Sequence, residues 1–201
     1  MQRSIFILLY FCILSSLSAQ HLDKEFYKQR REDLRRFLSP NSVAIFFSAS
    51  EKVRSNDINY LFHQNPDFYY LTGYKEPNSV LVIYSDSVTI QNIKTNEVIF
   101  VRPKDAYQEL WNGNRLGVNG VKETLGFSTV FSLEQLSQID LQIINLSRFD
   151  LLTKDERFSI KKEFPQLFEE QKKVQYFSLS DYMNQLRETK FPLEIEMLKK
   201  A

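Results

Sequence analysis

Two apolar runs frame the stretch that most constrains the fold. Residues 43–47 read VAIFF and residues 80–84 read VLVIY. Each has the length and the β-branched and aromatic content of a buried strand. Between them lie a polar loop at 48–59 and a compact aromatic segment, DFYYLTGY at 67–74. Asn65 suits a helix cap, Pro66 the first helical position, and Asp67 a place where the positive end of the helix dipole favours an anion. Gly73 can stop that helix in the left-handed conformation that a Cβ penalises. The stretch therefore reads as strand, loop, one short capped helix, strand.

The flanking sequence extends this alternation. Residues 24–38 carry Phe26, Arg30, Leu34 and Phe37 at helical spacing, and Pro40 ends the helix. The basic cluster Lys28, Arg30, Arg31, Arg35 and Arg36 is broken by Glu32 and Asp33, which predicts a solvated helix face rather than a nucleic-acid patch. After 84, the Ser85-Asp86-Ser87 run predicts a turn. A strand is expected at 88–93, a turn at 94–96 and another strand at 98–101. A helix follows from Asp105 through Trp111 to a stop at Gly113. The segment 112–127 holds four of the five glycines and reads as a turn-rich connector. Beyond it the pattern predicts a strand at 127–131, a helix capped at Ser132, and a strand at 141–146. A helix at 153–173 divided by Pro165, a strand at 175–179 and a helix from Ser180 complete the series. The expected class is α/β, a mixed β-sheet flanked by helices.

The N-terminus predicts a signal peptide over residues 1–19. Arg3 precedes an apolar run at 5–14, and small residues at 15–19 offer a cleavage site after Ser18 or Ala19. The run is too short for the roughly 20 residues that span a bilayer, so no stable membrane insertion is expected. The expected location is periplasmic or secreted. Cleavage removes Cys12, the single cysteine, so export here implies no disulfide-stapled fold. It also removes Arg3 from the 26 basic residues, leaving 25 against 25 acidic ones. Such a balance gives no reason to expect nucleic acid as a partner.

The inventory of reactive groups is negative. A metal site needs His, Cys, Asp or Glu converging at suitable spacing, and the two histidines, His21 and His63, lie far apart. There is no H-E-x-x-H, no G-x-S-x-G elbow, no phosphate loop and no dinucleotide fingerprint. The carboxylates are scattered, mostly beside Lys and Arg, as surface ion pairs are. His63 is expected to be a hydrogen-bonded structural histidine near the helix cap. Arg54 and Asp57 are expected to pair and pin the polar loop, the alternative being Arg54 free at the mouth of a cleft.

One long ordered run resembles a known family. Arg54, Ser55, Asp57 and Tyr60 are followed by Gln64, Asn65, the DFYYLTGY segment, Glu76 and Pro77. This resembles the N-terminal domain of the Xaa-Pro aminopeptidases (aminopeptidase P), in the creatinase/prolidase group of metallopeptidases. The resemblance covers residues 23–201. It implies a non-catalytic domain at 20–180, and at 181–201 a linker with the first helix of a C-terminal catalytic domain. There two metal ions, usually manganese, would be bound by two Asp, one His and two Glu, and would activate a bridging water and polarise the scissile carbonyl. None of those ligand motifs occurs in this sequence. Residues 192–200 carry a helix start and then stop without a stop signal, so the chain is expected to be a piece of a longer product.

The resemblance further implies cleavage of the bond before a proline at position two of a peptide, homo-oligomeric assembly, and a domain that walls the substrate cleft. It binds no metal and is expected to be inactive by itself. The segment Glu109, Trp111, Gly113, Arg115, Leu116 and Gly117 resembles the family's E-x-W-x-G-x-R-L-G pattern. In tetrameric bacterial members that tryptophan reaches toward a neighbour's active site, which makes Trp111 a candidate substrate-binding residue, the other reading being an ordinary core tryptophan at a helix end. Two alternatives stand beside the aminopeptidase: a prolidase-type dipeptidase, and an exported metal-free pseudoenzyme that binds protein.

Overall fold

The structure, a computed structural model, describes residues 22–141, 148–151 and 175–200. Helix α1 (Lys24–Phe37) begins at Asp23, whose carboxylate accepts the Phe26 N–H at 2.8 Å. Strand β1 (Ser42–Phe47) leads to a small hairpin, β2 (Val53–Ser55) and β3 (Ile58–Asn59), inside the segment expected to be a plain loop. Helix α2 (Pro66–Thr72) is capped by Asn65, which accepts the Asp67 and Phe68 N–H groups, and stops at Gly73 with φ 69°. Strands β4 (Val80–Ile90) and β5 (Ile93–Val101) form a long antiparallel pair.

Helices α3 (Ala106–Asn112) and α4 (Gly117–Leu125) follow. Strand β6 (Val130–Ser132) runs into a 3₁₀ turn at Leu133–Gln135, held by a capping box between Ser132 and Gln135. Then come β7 (Arg148–Leu151), β8 (Gln175–Ser178) and α5 (Ser180–Glu188). Asp23–Thr189 forms one compact unit. Outside it, α6 (Pro192–Lys200) starts where Glu194 accepts the Phe191 N–H at 3.0 Å.

The main sheet has the order β6-β5-β4-β1-β7-β8 and is mixed, as expected. The β1–β4 and β4–β5 pairs are antiparallel; β5–β6, β1–β7 and β7–β8 are parallel. The side chains of β1, β4 and β5 alternate between two apolar layers, as the two-residue period of a strand requires. Ala44, Phe46, Leu81, Ile83 and Ile99 meet Leu34 of α1, Phe68 and Leu71 of α2, Val121 of α4 and Met183 of α5. Val43, Ile45, Val82, Tyr84 and Phe100 meet Leu136, Ile139 and Leu141 on the other face. Central strands buried on both sides have no solvent face, and hence no polar alternation in the sequence.

Several expectations are corrected. The predicted turn at 85–87 lies within β4, and residues 94–96 lie within β5. The chain reverses instead at Gln91 and Asn92, both at positive φ (49° and 62°), the pattern of a two-residue hairpin turn matched to strand twist. The supposed connector at 112–127 contains α4. The basic face of α1 is not all solvated: Arg31 is fully buried and makes a two-pronged bond to Glu97 at 2.9 and 3.1 Å. Its guanidinium also donates to the Leu71 carbonyl and lies 3.9 Å over the Phe127 ring. Arg30 is likewise buried, against Asp33 at 3.0 Å. The signal peptide at 1–19, the strand at 141–146 beyond Leu141 and the helix at 153–173 lie outside the described residues.

Candidate functional site

The pairing register places several loops at one end of the sheet. Phe47, Val80, Phe100 and Phe131 lie in register across β1, β4, β5 and β6. The segment after β1, the approach to β4 and the segment after β5 therefore all leave or enter at that end, at the carboxyl ends of β1, β5 and β6. Binding residues in α/β sheets gather at such ends.

Gln64 locks the first of these segments. Its side-chain oxygen accepts the Ala49 and Asn65 N–H groups at 2.8 and 2.9 Å. Its amide nitrogen donates to the Tyr74 and Glu76 carbonyls at 3.2 and 2.9 Å. One amide thus joins the exit of β1, the cap of α2 and the approach to β4, with its donors and acceptor all used. His63, expected to serve near the cap, is exposed instead, and its neighbour Gln64 does that work. The expected Arg54–Asp57 pair does not form: among the described residues no bond joins them, and both stand exposed on the β2–β3 hairpin. Both side chains are solvated, and an exposed pair gains little by closing in water.

Glu76 anchors the second segment. Its Oε1 accepts the Leu116 N–H at 2.7 Å, its Oε2 accepts the Tyr74 hydroxyl at 2.9 Å, and Arg102 faces the latter oxygen at 3.8 Å. Burial, then the Glu76 carboxylate, holds the Tyr74 hydroxyl protonated far above its ordinary range. Arg115 is buried beside it and donates to the Pro103 carbonyl at 3.4 Å and to the Gln108 side-chain oxygen at 2.6 Å. The Arg115 N–H reaches the Glu109 carboxylate at 2.8 Å. In the sequence Gln64, Glu76 and Arg115 stand out only as letters of a motif. Charges that meet across forty residues leave no periodic signal to find them by.

Trp111 projects from this scaffold. Asp105 caps α3 by accepting the Tyr107 and Gln108 N–H groups. No residue of the helix is buried. Tyr107, Leu110 and Trp111, spaced to share one face, are 74%, 80% and 78% exposed. Trp111 is therefore not part of the core that the described residues form. The hairpin exposes Val53 and Ile58, and the segment after it Tyr60 and Leu61.

Among the described residues no group of three or more His, Cys, Asp or Glu converges as metal ligands. The acids that do gather, such as Glu76 and Glu109, spend their oxygens on backbone N–H groups and a tyrosine. The described residues do not fit a two-manganese centre. Among them, no helix is long and apolar enough to cross a membrane.

The sequence and the fold match known proteins. The profile of the family described as "Aminopeptidase P, N-terminal domain" matches residues 27–149, more than half of the chain. The Xaa-Pro aminopeptidase of Haemophilus influenzae is 38% identical over 122 residues, covering 59% of this chain and 26% of that protein. The Escherichia coli enzyme of the same name is 34% identical over 124 residues, covering 62% and 27%. "Intermediate cleaving peptidase 55" of Saccharomyces cerevisiae is 35% identical over 123 residues, covering 61% and 24%. Among solved structures, the low-pH form of E. coli aminopeptidase P superposes with a TM-score of 0.76 at 28% identity, over 90% of this chain and 42% of that one. The same enzyme with the inhibitor Pro-Leu gives 0.75 at 26% identity, with the same coverage. The chain thus spans about a quarter of the length of the curated relatives it matches and 42% of the solved ones.

Proposed function

The chain belongs to the aminopeptidase P N-terminal domain family, and on that premise we propose that it is the non-catalytic lobe of an exported Xaa-Pro aminopeptidase. The observation that carries this reading is the agreement of nearly the whole lobe with aminopeptidase P at a TM-score of 0.76. The complete protein releases an N-terminal residue that precedes proline. Its two manganese ions are held by residues outside these 201. The lobe supplies no ligand; it assists assembly of a homo-oligomer and walls the peptide cleft.

Within this reading Trp111 is the residue that meets substrate, at the active site of a neighbouring subunit. A planar indole with one N–H donor shapes a dry pocket suited to a proline ring. Its exposure on a helix that contributes nothing to the core supports that role. Trp111→Ala leaves the stability of the isolated lobe, read from its urea midpoint, within about 0.5 kcal/mol of wild type, as for surface positions elsewhere. In the two-domain enzyme it raises KM for Xaa-Pro-Yaa peptides. Unchanged peptide kinetics would remove Trp111 from the site.

The same enzyme separates the substrate classes. Turnover of Xaa-Pro-Yaa tripeptides well above Xaa-Pro dipeptides supports the aminopeptidase, and the reverse a prolidase-type dipeptidase. Absence of both with manganese supplied would point to a pseudoenzyme. Export is tested by the mass of the mature N-terminus, with cleavage expected after Ser18 or Ala19.

A further inference from the structure

Helix α3 adds nothing to the core, and a seven-residue helix is too short to hold itself together in water. The chain at its base is nonetheless tightly bound. Arg115, 8% exposed, grips the Pro103 carbonyl ahead of the helix and the Gln108 side chain in its first turn. The Arg115 N–H fastens the middle of the helix through Glu109. The next N–H, of Leu116, is received by Glu76, which is itself fixed by Tyr74 and faces Arg102.

A buried guanidinium and a half-buried carboxylate are a poor means of adding stability, because desolvation offsets most of what such charges gain. They are a good means of fixing direction. The guanidinium is a rigid planar fork, and its acceptors here are a backbone carbonyl and a short amide side chain. What the fork directs is the exposed face of Tyr107, Leu110 and Trp111.

We propose that Arg115 and Glu76 are positioning residues: a clasp that fixes the direction of helix α3, so that Trp111 stands pre-oriented before it meets anything. The inference rests on the reading of Trp111 as the substrate-facing residue. The clasp's action on Trp111 is measurable with no peptide and no second domain present, so its failure is distinct from a failure of that reading.

Trp111 is the chain's single tryptophan, so its time-resolved fluorescence anisotropy reports the helix directly. In the wild-type lobe the indole follows the tumbling of the whole domain, with little of the picosecond-to-nanosecond motion of a free exposed side chain. Arg115→Ala and Glu76→Ala enlarge that fast component while far-UV circular dichroism changes little, even where polar groups left unpaired lower the urea midpoint. Glu76→Gln keeps an oxygen for the Leu116 N–H and restores the slow decay. Gln108→Ala removes one prong from an exposed position with no risk to folding, and gives a smaller rise of the same kind. Decays unchanged in Arg115→Ala and Gln108→Ala overturn the proposal. So does an altered decay that appears only in proportion to lost ellipticity.

Discussion

Gly73 shows how much one residue can settle. Its φ of 69° lies in the left-handed region, and a Cβ built there would lie 2.5 Å from the Tyr27 ring of α1. Gly73→Ala therefore combines left-handed strain of about 1–2 kcal/mol with displacement of a ring that packs α1 on α2. A fall in the urea midpoint larger than the backbone strain alone is expected, and a wild-type midpoint would contradict this packing. The buried tyrosines set the pH response. Burial first, then Asp140, keeps the Tyr84 hydroxyl protonated far above the ordinary value of about 10, and its proton goes to the Leu141 carbonyl at 2.7 Å. Burial first, then Tyr69, does the same for Tyr27. A raised folded-state value makes this contribution complete below about pH 10 and lost as pH rises beyond it, since only the unfolded chain then releases the protons. The urea midpoint should fall as pH rises from about 9 to about 11, and fall less steeply in Tyr84→Phe. An equal slope in both proteins would contradict the assignment.

The elements show which parts of the fold the sequence could disclose. Helix α2 was legible because every cue is local: Asn65, Pro66, Asp67 and Gly73 act within one turn of themselves. The β4–β5 hairpin was not. Ser85 and Asp86 look like a turn, but Ser85 Oγ and Asp86 Oδ2 instead receive the Ser42 and Asn41 N–H groups across the sheet. The true reversal at Gln91 and Asn92 has no glycine to mark it. The double substitution Gln91→Asn with Asn92→Gly places the Asn-Gly dipeptide where positive φ values call for it. It should raise stability by about 0.5–1 kcal/mol, read as a higher thermal midpoint; a lower one would mean that the two native side chains contribute more than their strain. Helix α4 was hidden by two glycines: Gly117 opens it at a positive φ of 62°, and Gly120 inside it costs about 1 kcal/mol of helix propensity. Val121 is buried, and Leu116, Val118 and Leu125 pack on the core beside it, so tertiary contact outweighs the local preference.

At the scale of the molecule, the sequence disclosed the class and the family, and the reason is the same for both. The mixed sheet follows from apolar runs and helical periodicity, and the family from an ordered motif, of which the fold brings Gln64 and Glu76 to one sheet end. The working parts of that end were hidden, because Gln64, Glu76 and Arg115 act through bonds to distant backbone. The buried Arg31–Glu97 pair, 66 residues apart in sequence, was hidden for the same reason. The resulting lobe has a two-faced core, a hydrogen-bonded rim and an exposed aromatic helix, and none of its described acids is arranged for metal chemistry. We propose that this lobe supports an aminopeptidase without performing the reaction. The direct test gives the purified 201-residue chain manganese and an Xaa-Pro-Yaa peptide, follows release of the N-terminal residue by chromatography, and measures metal retained after dialysis. The account predicts no release above the buffer control and no retained manganese. Cleavage at a rate proportional to chain concentration, or manganese held in stoichiometric amount, would contradict it.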